Sequence, residues 1–226
     1  EQQRKVLAVV AHELRNPLTP ISMIAGRLVR VPSEELPRMQ KLIEGQVQHM
    51  SRLVEDLLDV ARASTGKFHL DCSLVDMTQI IHESIDICAP VMIAHQLHFS
   101  AELPDCALMV NGDPVRLTQI LGNLLGNAAK YTPAGGAVSL SVTAEDGVLV
   151  ISIRDTGIGI TAKALPFIFE PFVQDVHAVG FNGAGLGIGL TVVRELIEAH
   201  GGTVTGQSAG DGKGSEFVVT LPLVSH

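Results

Sequence analysis

The chain has 226 residues, 46% of them hydrophobic and 18% charged, with a formal net charge of −8. That composition supports a packed core in one large domain or two small ones and excludes global disorder. An acidic surface repels phosphate backbones, so no nucleic-acid partner is expected. Cys72, Cys88 and Cys106 are odd in number and form no CxxC pair, which reads as ordinary thiols in a reducing compartment. No apolar run approaches the ~18–20 residues needed to span a bilayer, and no secretory signal opens the stretch. The stretch is expected to be cytoplasmic, without membrane contact of its own, and a piece of something longer.

The pattern over 6–63 is helical. Val6, Val10, Leu14, Ile21 and Leu28 recur at near-heptad spacing, and Leu42, Val47, Met50, Leu53, Leu57 and Val60 follow a break at Val31-Pro32-Ser33. Ser33 before Glu34-Glu35 resembles a helix start. The two helices make an αα-hairpin, which cannot cover its own apolar stripe. Two copies packed as a four-helix bundle can, so a homodimer is expected; the alternative is that the helices pack on the rest of the chain.

Ser64-Thr65-Gly66 punctuates the second helix and sets a boundary between domains 1–66 and 67–226. Alternation predicts a strand over 67–71, then a helix over 77–88 and short strands over 97–101 and 107–110. A strong helix is predicted over 113–131, with Asp113 as N-cap and Pro114 at its first position. Strands over 138–143 and 148–154 join at Glu145-Asp146-Gly147, a hairpin signal. A helix over 190–200 and a second hairpin, 203–207 with 216–221, close the chain. The fold class is α+β: the helical hairpin, then an α/β sandwich on a mixed, largely antiparallel sheet.

Three segments of the second domain carry chemistry. Asn123, Asn127, Lys130 and Tyr131 lie about one turn apart on the long helix and share a face. Two carboxamides, an ammonium and a phenol can serve a phosphate chain, its metal and a base, and amide oxygens suit Mg²⁺; a solvated polar face is the plainer alternative. Asp155-Thr-Gly157-Ile-Gly159-Ile160 follows a predicted strand, where glycines let backbone approach a ligand and Asp155 can accept a hydrogen bond from an exocyclic amine. Gly183-Ala-Gly185-Leu186-Gly187-Ile-Gly189-Leu190 opens the next helix, which makes an anion site of free N–H groups, or simply a flexible turn. No GxxxxGK[ST] motif exists. Residues 157–162 fit a dinucleotide fingerprint, but Pro166 cuts the following helix short and the preceding strands read as a hairpin. On the first helix, His12 is followed by Glu13, with Asn16 one turn on and Pro17 expected to kink the helix. A lone helical histidine is most often a surface residue.

These segments, in this order, resemble the boxes of the sensor histidine kinase family. Ala11-His12-Glu13-Leu14-Arg15-Asn16-Pro17-Leu18 resembles the H box; 123–131, 155–160 and 183–190 resemble the N, G1 and G2 boxes; Phe169-Glu-Pro-Phe172 resembles the F box. The resemblance covers nearly the whole chain and implies the ATP-binding fold shared with DNA gyrase B, the heat-shock 90 chaperones and MutL. It implies that Asn127 holds Mg²⁺, Lys130 contacts phosphates, Tyr131 lies near the nucleotide and Asp155 binds the adenine amine. Asn123, Gly157, Gly159, Ile160, Phe172, Gly183, Gly185, Leu186, Gly187 and Gly189 complete the ATP site, and 173–182 form a mobile lid. His12 is implied as phosphoacceptor, with Glu13 handling the ring proton. Asn16 resembles the position that orients water when such kinases dephosphorylate their partner, its alternative role being local to the kink beside Pro17.

ATP-hydrolysing members of the superfamily carry a glutamate one turn before the metal-binding Asn; here that position is Asn123, and an amide cannot act as a general base. Many family members have an arginine just after the F box, where this chain has Gln174, and 173–182 contain no Lys or Arg. The expected function is ATP- and Mg²⁺-dependent autophosphorylation on His12 and transfer to an aspartate of a response-regulator receiver domain. The wording Phe-Glu-Pro-Phe-x-Gln resembles hybrid kinases. Two rival readings remain: a non-catalytic dimeric interaction module, and an ATPase of the same superfamily, against which Asn123 stands.

Overall fold

In the computed structural model, residues 2–27, 32, 34–63, 70–182 and 185–224 are described. The chain divides into two units, Glu1–Ser64 and Thr65–His226. In the first, α1 spans Gln2–Ala25 and α2 spans Leu36–Ala63, packed on each other. Much of the expected break around Pro32, and Ser33 with it, lies outside the described residues. α1 stays helical through Pro17 and Pro20, although each removes one N–H that would have bonded the carbonyl four residues back. Leu53 is buried, but Leu42, Val47, Val54 and Leu58 of α2 keep 44–50% of their surface exposed. The hairpin therefore covers only part of its apolar surface.

The second unit begins with β1 (Ser73–Asp76), α3 (Met77–Ala94), β2 (His98–Glu102) and β3 (Met109–Gly112). The strand expected over 67–71 lies partly outside the described residues. Leu70 and Asp71 are not in a strand; β1 starts at Ser73 because its register is set by antiparallel pairing with β3, Ser73 opposite Gly112 and Asp76 opposite Met109. Asp76 caps α3, accepting from Thr78 N at 2.9 Å and Leu108 N at 3.2 Å. Burial pushes its carboxyl up, but these hydrogen bonds outweigh it and hold the group below the usual range. α3 runs six residues past its expected end and carries Pro90 within it.

α4 (Pro114–Tyr131) starts where expected: Asp113 Oδ1 accepts from Val115 N at 3.0 Å and Arg116 N at 3.2 Å. β4 (Ala137–Glu145) and β5 (Val148–Asp155) form the expected hairpin; α5 (Val176–Asn182), α6 (Gly189–Ala199), β6 (Thr203–Gln207) and β7 (Ser215–Pro222) complete the unit. The five-stranded sheet has the order β2-β4-β5-β7-β6 and is antiparallel except for β2 beside β4.

Alternate residues of the sheet, such as Leu140, Ile151, Ile153 and Val219, are almost wholly buried. So are Leu121, Leu124 and Leu125 of α4 and Val193, Leu196 and Ile197 of α6. The helices thus cover one sheet face, with period 2 meeting period 3.6. Buried His200 ties α6 to the start of α4: its Nε2 accepts from Asp113 N at 3.0 Å, and its Nδ1 bonds Leu196 O at 2.7 Å. Among the described residues no helix is long and apolar enough to cross a membrane, and the three cysteines are free.

Candidate nucleotide and phosphoacceptor sites

The ends of α4 and β5 and the start of α6 converge. Glycines are required there by the protein itself. A Cβ on Gly157 would run into the carbonyl oxygen of Tyr131, and one on Gly159 (φ 71°) into that of Gly210. Ile158 N donates to Tyr131 O at 3.0 Å and Gly212 N to Ile158 O at 2.7 Å. The loop after β5 is therefore pinned between the end of α4 and the β6–β7 turn.

Asp155 is 5% exposed. Its Oδ1 accepts from Gly157 N at 2.7 Å and its Oδ2 from Ser215 Oγ at 2.5 Å. Ser215 is the cross-strand partner of Asp155 in the β5–β7 ladder. The carboxylate is held as a fixed acceptor, suited to a ligand N–H. Ser215 had no local signal in the sequence, because only the sheet register brings it opposite Asp155. The same holds for Ser208, whose Oγ accepts from Ile160 N at 3.0 Å.

On α4, Asn123, Asn127, Lys130 and Tyr131 are all half-buried. Asn123 Nδ2 reaches Gly189 O at 3.5 Å, and a Cβ on Gly185 would stand 3.6 Å from Lys130 Nζ. Lys130 Nζ also lies 5.0 Å from the centre of the Tyr131 ring. The amide–ammonium face of α4 and the glycine run before α6 thus form one locality. Gly183 lies outside the described residues. Leu186 is buried at 3% exposure, so only its backbone can meet a ligand. Thr191, in the first turn of α6, is also 3% exposed, and its hydroxyl has no hydrogen-bond partner. The free N–H groups of the α6 start, Lys130 and the amides of α4 fit an anionic ligand accompanied by a hard cation.

The F-box segment closes against this run. Phe172 sits at φ 65°, unusual for a non-glycine residue, and its N–H donates to Gly187 O at 3.0 Å. Gln174 donates its amide to Gly185 O. The segment expected to be a lid contains the short helix α5, which the sequence reading did not foresee. Asp175 organises its start: Oδ2 accepts from Thr161 N at 2.7 Å and Oδ1 from His177 N at 3.1 Å. Burial raises the Asp175 carboxyl, but these bonds and nearby His177 outweigh it and hold it below its usual range. His177 Nδ1 also meets Asp211 Oδ1 at 3.2 Å, joining α5 to the β6–β7 turn.

In the first unit, His12, Glu13 and Asn16 come together on α1. The His12 side chain is 67% exposed while that of Glu13 is 5% exposed. His12 Nδ1 lies 3.5 Å from Glu13 Oε1. Asn16 Nδ2 lies 3.3 Å from His12 Nδ1 and 3.5 Å from Glu13 Oε1. Nδ1 is engaged on the helix side.

Comparison with known proteins finds a family model in each of the two units. Residues 2–66 match the family model of the His Kinase A (phospho-acceptor) domain, and residues 112–225 that of the histidine kinase-, DNA gyrase B- and HSP90-like ATPase. The chain is 33% identical over 98% of its length to the sensor histidine kinase WalK of Bacillus subtilis, and 33% identical over 96% to the sensor histidine kinase RcsC of Escherichia coli. It spans 37% and 23% of the length of those two relatives. Among solved structures, full-length ShkA in complex with AMPPNP superposes with a TM-score of 0.71 at 29% identity, over 99% of this chain and 46% of that one. A phosphoacceptor-type helical hairpin followed by an ATP-binding-type sandwich, with relatives of this kind over nearly the whole length, makes this chain a member of the sensor histidine kinase family.

Proposed function

We propose that this chain is a kinase core that phosphorylates His12 from ATP and passes the phosphoryl group to an aspartate on a response-regulator receiver domain. Residues 1–66 act as the dimerisation and phosphotransfer domain and 67–226 as the catalytic ATP-binding domain. The observation that carries the reading is Asn123, whose amide is spent on Gly189 O one turn before Asn127. No carboxylate stands there to activate water, so a triphosphate bound at this site is spared for transfer.

In the catalytic domain, Asp155 selects the base through its fixed acceptor oxygens, and Lys130 and the α6 start neutralise phosphate charge. The loop glycines and Phe172 shape the pocket wall. Asn127 is the residue to hold Mg²⁺, which when bound offsets charge on phosphate oxygens. On α1, Glu13 accepts the Nδ1 proton of His12, leaving the outward Nε2 lone pair as nucleophile. Asn16 orients water for a second, phosphatase activity. The exposed apolar stripe of Leu42, Val47, Val54 and Leu58 supports burial against a second copy.

Incubation with γ-labelled ATP tests this directly. Acid-labile, base-stable label is expected on the wild type and not on His12→Gln. Label on neither would favour a non-catalytic interaction module, and steady phosphate release that survives His12→Gln would favour an ATPase.

A further inference from the structure

Resting on the kinase reading just given, we infer that Asn16 is a positioning residue that brakes autophosphorylation by competing with Glu13 for Nδ1 of His12, so that the Asn16–Glu13 pair sets which ring nitrogen carries the proton. A neutral imidazole has one N–H and one lone pair. Nδ1 is within reach of two groups of opposite demand, the Glu13 carboxylate at 3.5 Å and the Asn16 amide nitrogen at 3.3 Å. The amide nitrogen also lies 3.5 Å from the same Glu13 oxygen. That oxygen is acceptor-only when ionised, so the amide end facing both groups is the donor.

Two arrangements follow. When Nδ1 carries the proton and gives it to Glu13, the Nε2 lone pair is free. It then attacks the γ-phosphorus of ATP: the N–P bond forms as the bond to the β–γ bridging oxygen breaks, and ADP leaves with the electron pair. The Nδ1 proton passes to Glu13, leaving a neutral phosphoimidazole. When Asn16 instead donates to Nδ1, the proton sits on Nε2, and the outward nitrogen has no lone pair in the ring plane to offer. The same amide that serves water in the phosphatase direction thus suppresses the kinase direction. With His12 67% exposed and both contacts longer than the usual hydrogen-bond range, removal of one shifts the tautomer ratio by about two- to tenfold at most.

The test uses the whole chain with ¹⁵N-labelled histidine, the His12 resonances being assigned among its nine histidines by His12→Gln. Spectra recorded without nucleotide report the tautomer ratio, and single-turnover labelling at saturating ATP reports the rate. Asn16→Ala is expected to shift His12 toward the Nδ1–H form and to raise the autophosphorylation rate about two- to tenfold, with the KM for ATP unchanged. Asn16→Gln, which keeps a donor, is expected to restore the brake in part. Adding Glu13→Gln should abolish the gain. Should Asn16→Ala lose helical content, Asn16→Leu, of similar size, without an N–H and with good helix propensity, carries the same expectation. An unchanged tautomer ratio, or an unchanged or slower rate in a helical variant, overturns the inference. A wild type that takes no label overturns the kinase reading instead, while the spectra still decide the tautomer claim.

Discussion

Replacing Ser215 with alanine removes one of the two donors that hold Asp155. The carboxylate is 5% exposed and accepts from Gly157 N at 2.7 Å and Ser215 Oγ at 2.5 Å. Ser→Ala deletes one oxygen and creates almost no cavity, so the effect isolates the hydrogen bond. A hydrogen bond to a charged group contributes about 1.5–3 kcal/mol, and Oδ2 would lose its donor in a site with little access to water. For a unit of this size each kcal/mol moves Tm by about 2–4 °C, so a fall of roughly 3–12 °C in the transition of the second unit is expected in calorimetry. The carboxylate should also lose its fixed orientation, so titration with a non-hydrolysable ATP analogue should show weaker binding than wild type. Ser215→Thr, which keeps the hydroxyl and suits a strand, should recover most of both losses. A Tm within about 1 °C of wild type, with unchanged nucleotide affinity, would refute the claim that the cross-strand serine fixes the Asp155 carboxylate.

Gly187 stands at φ 67°, and a Cβ there would lie 2.6 Å from the carbonyl oxygen of Val173. Gly187→Ala is expected to cost about 1–2 kcal/mol in backbone conformation alone, with further loss from the collision. Gly126→Ala on α4, where nothing lies within 4 Å, should instead stabilise by up to about 1 kcal/mol; shifts in urea midpoint of the same sign for the two variants, or no shift in either, would contradict the contrast. Because the Asp175 carboxyl sits below its unfolded value of 3.8, the order it imposes on the start of α5 is fully present above about pH 4. It is lost as pH falls through the folded value. Hydrogen exchange at the Thr161 amide should therefore lose protection on acidification below pH 4 in the wild type, and Asp175→Asn should remove that pH dependence.

Much of the second unit was legible because the relevant signals are local. Asp113-Pro114 fixes the start of α4 through a side-chain cap and a ring that needs no N–H, and Glu145-Asp146-Gly147 fixes a hairpin through a turn with two positive φ angles, 51° at Asp146 and 76° at Gly147. The hydrophobic period located β4, β5, β6, β7 and α6 to within one or two residues of their bounds. β1 was misplaced because a four-residue edge strand is defined by its partner β3 and not by its own alternation. α3 outran its expected end because Pro90 could be carried within a helix packed on α4. α5 was missed because seven residues without a clear apolar stripe gain their order from Asp175.

At the sites, one-turn spacing alone put His12, Glu13 and Asn16 on one edge of α1, and Asn123, Asn127 and Lys130 on one face of α4, since helix geometry is the same in every fold. The sequence also determined that these helices need covering, because their apolar stripes are written at helical period. Which residues from elsewhere complete the sites was decided only by tertiary structure. Ser215 faces Asp155 through sheet register, Ser208 and Gly210 reach the loop after β5 from a distant turn, and Gln174 meets Gly185 because the F-box segment folds back on the glycine run. Such partners carry no local pattern, because a hydrogen bond across 11, 48 or 60 residues places no periodicity on the chain between them.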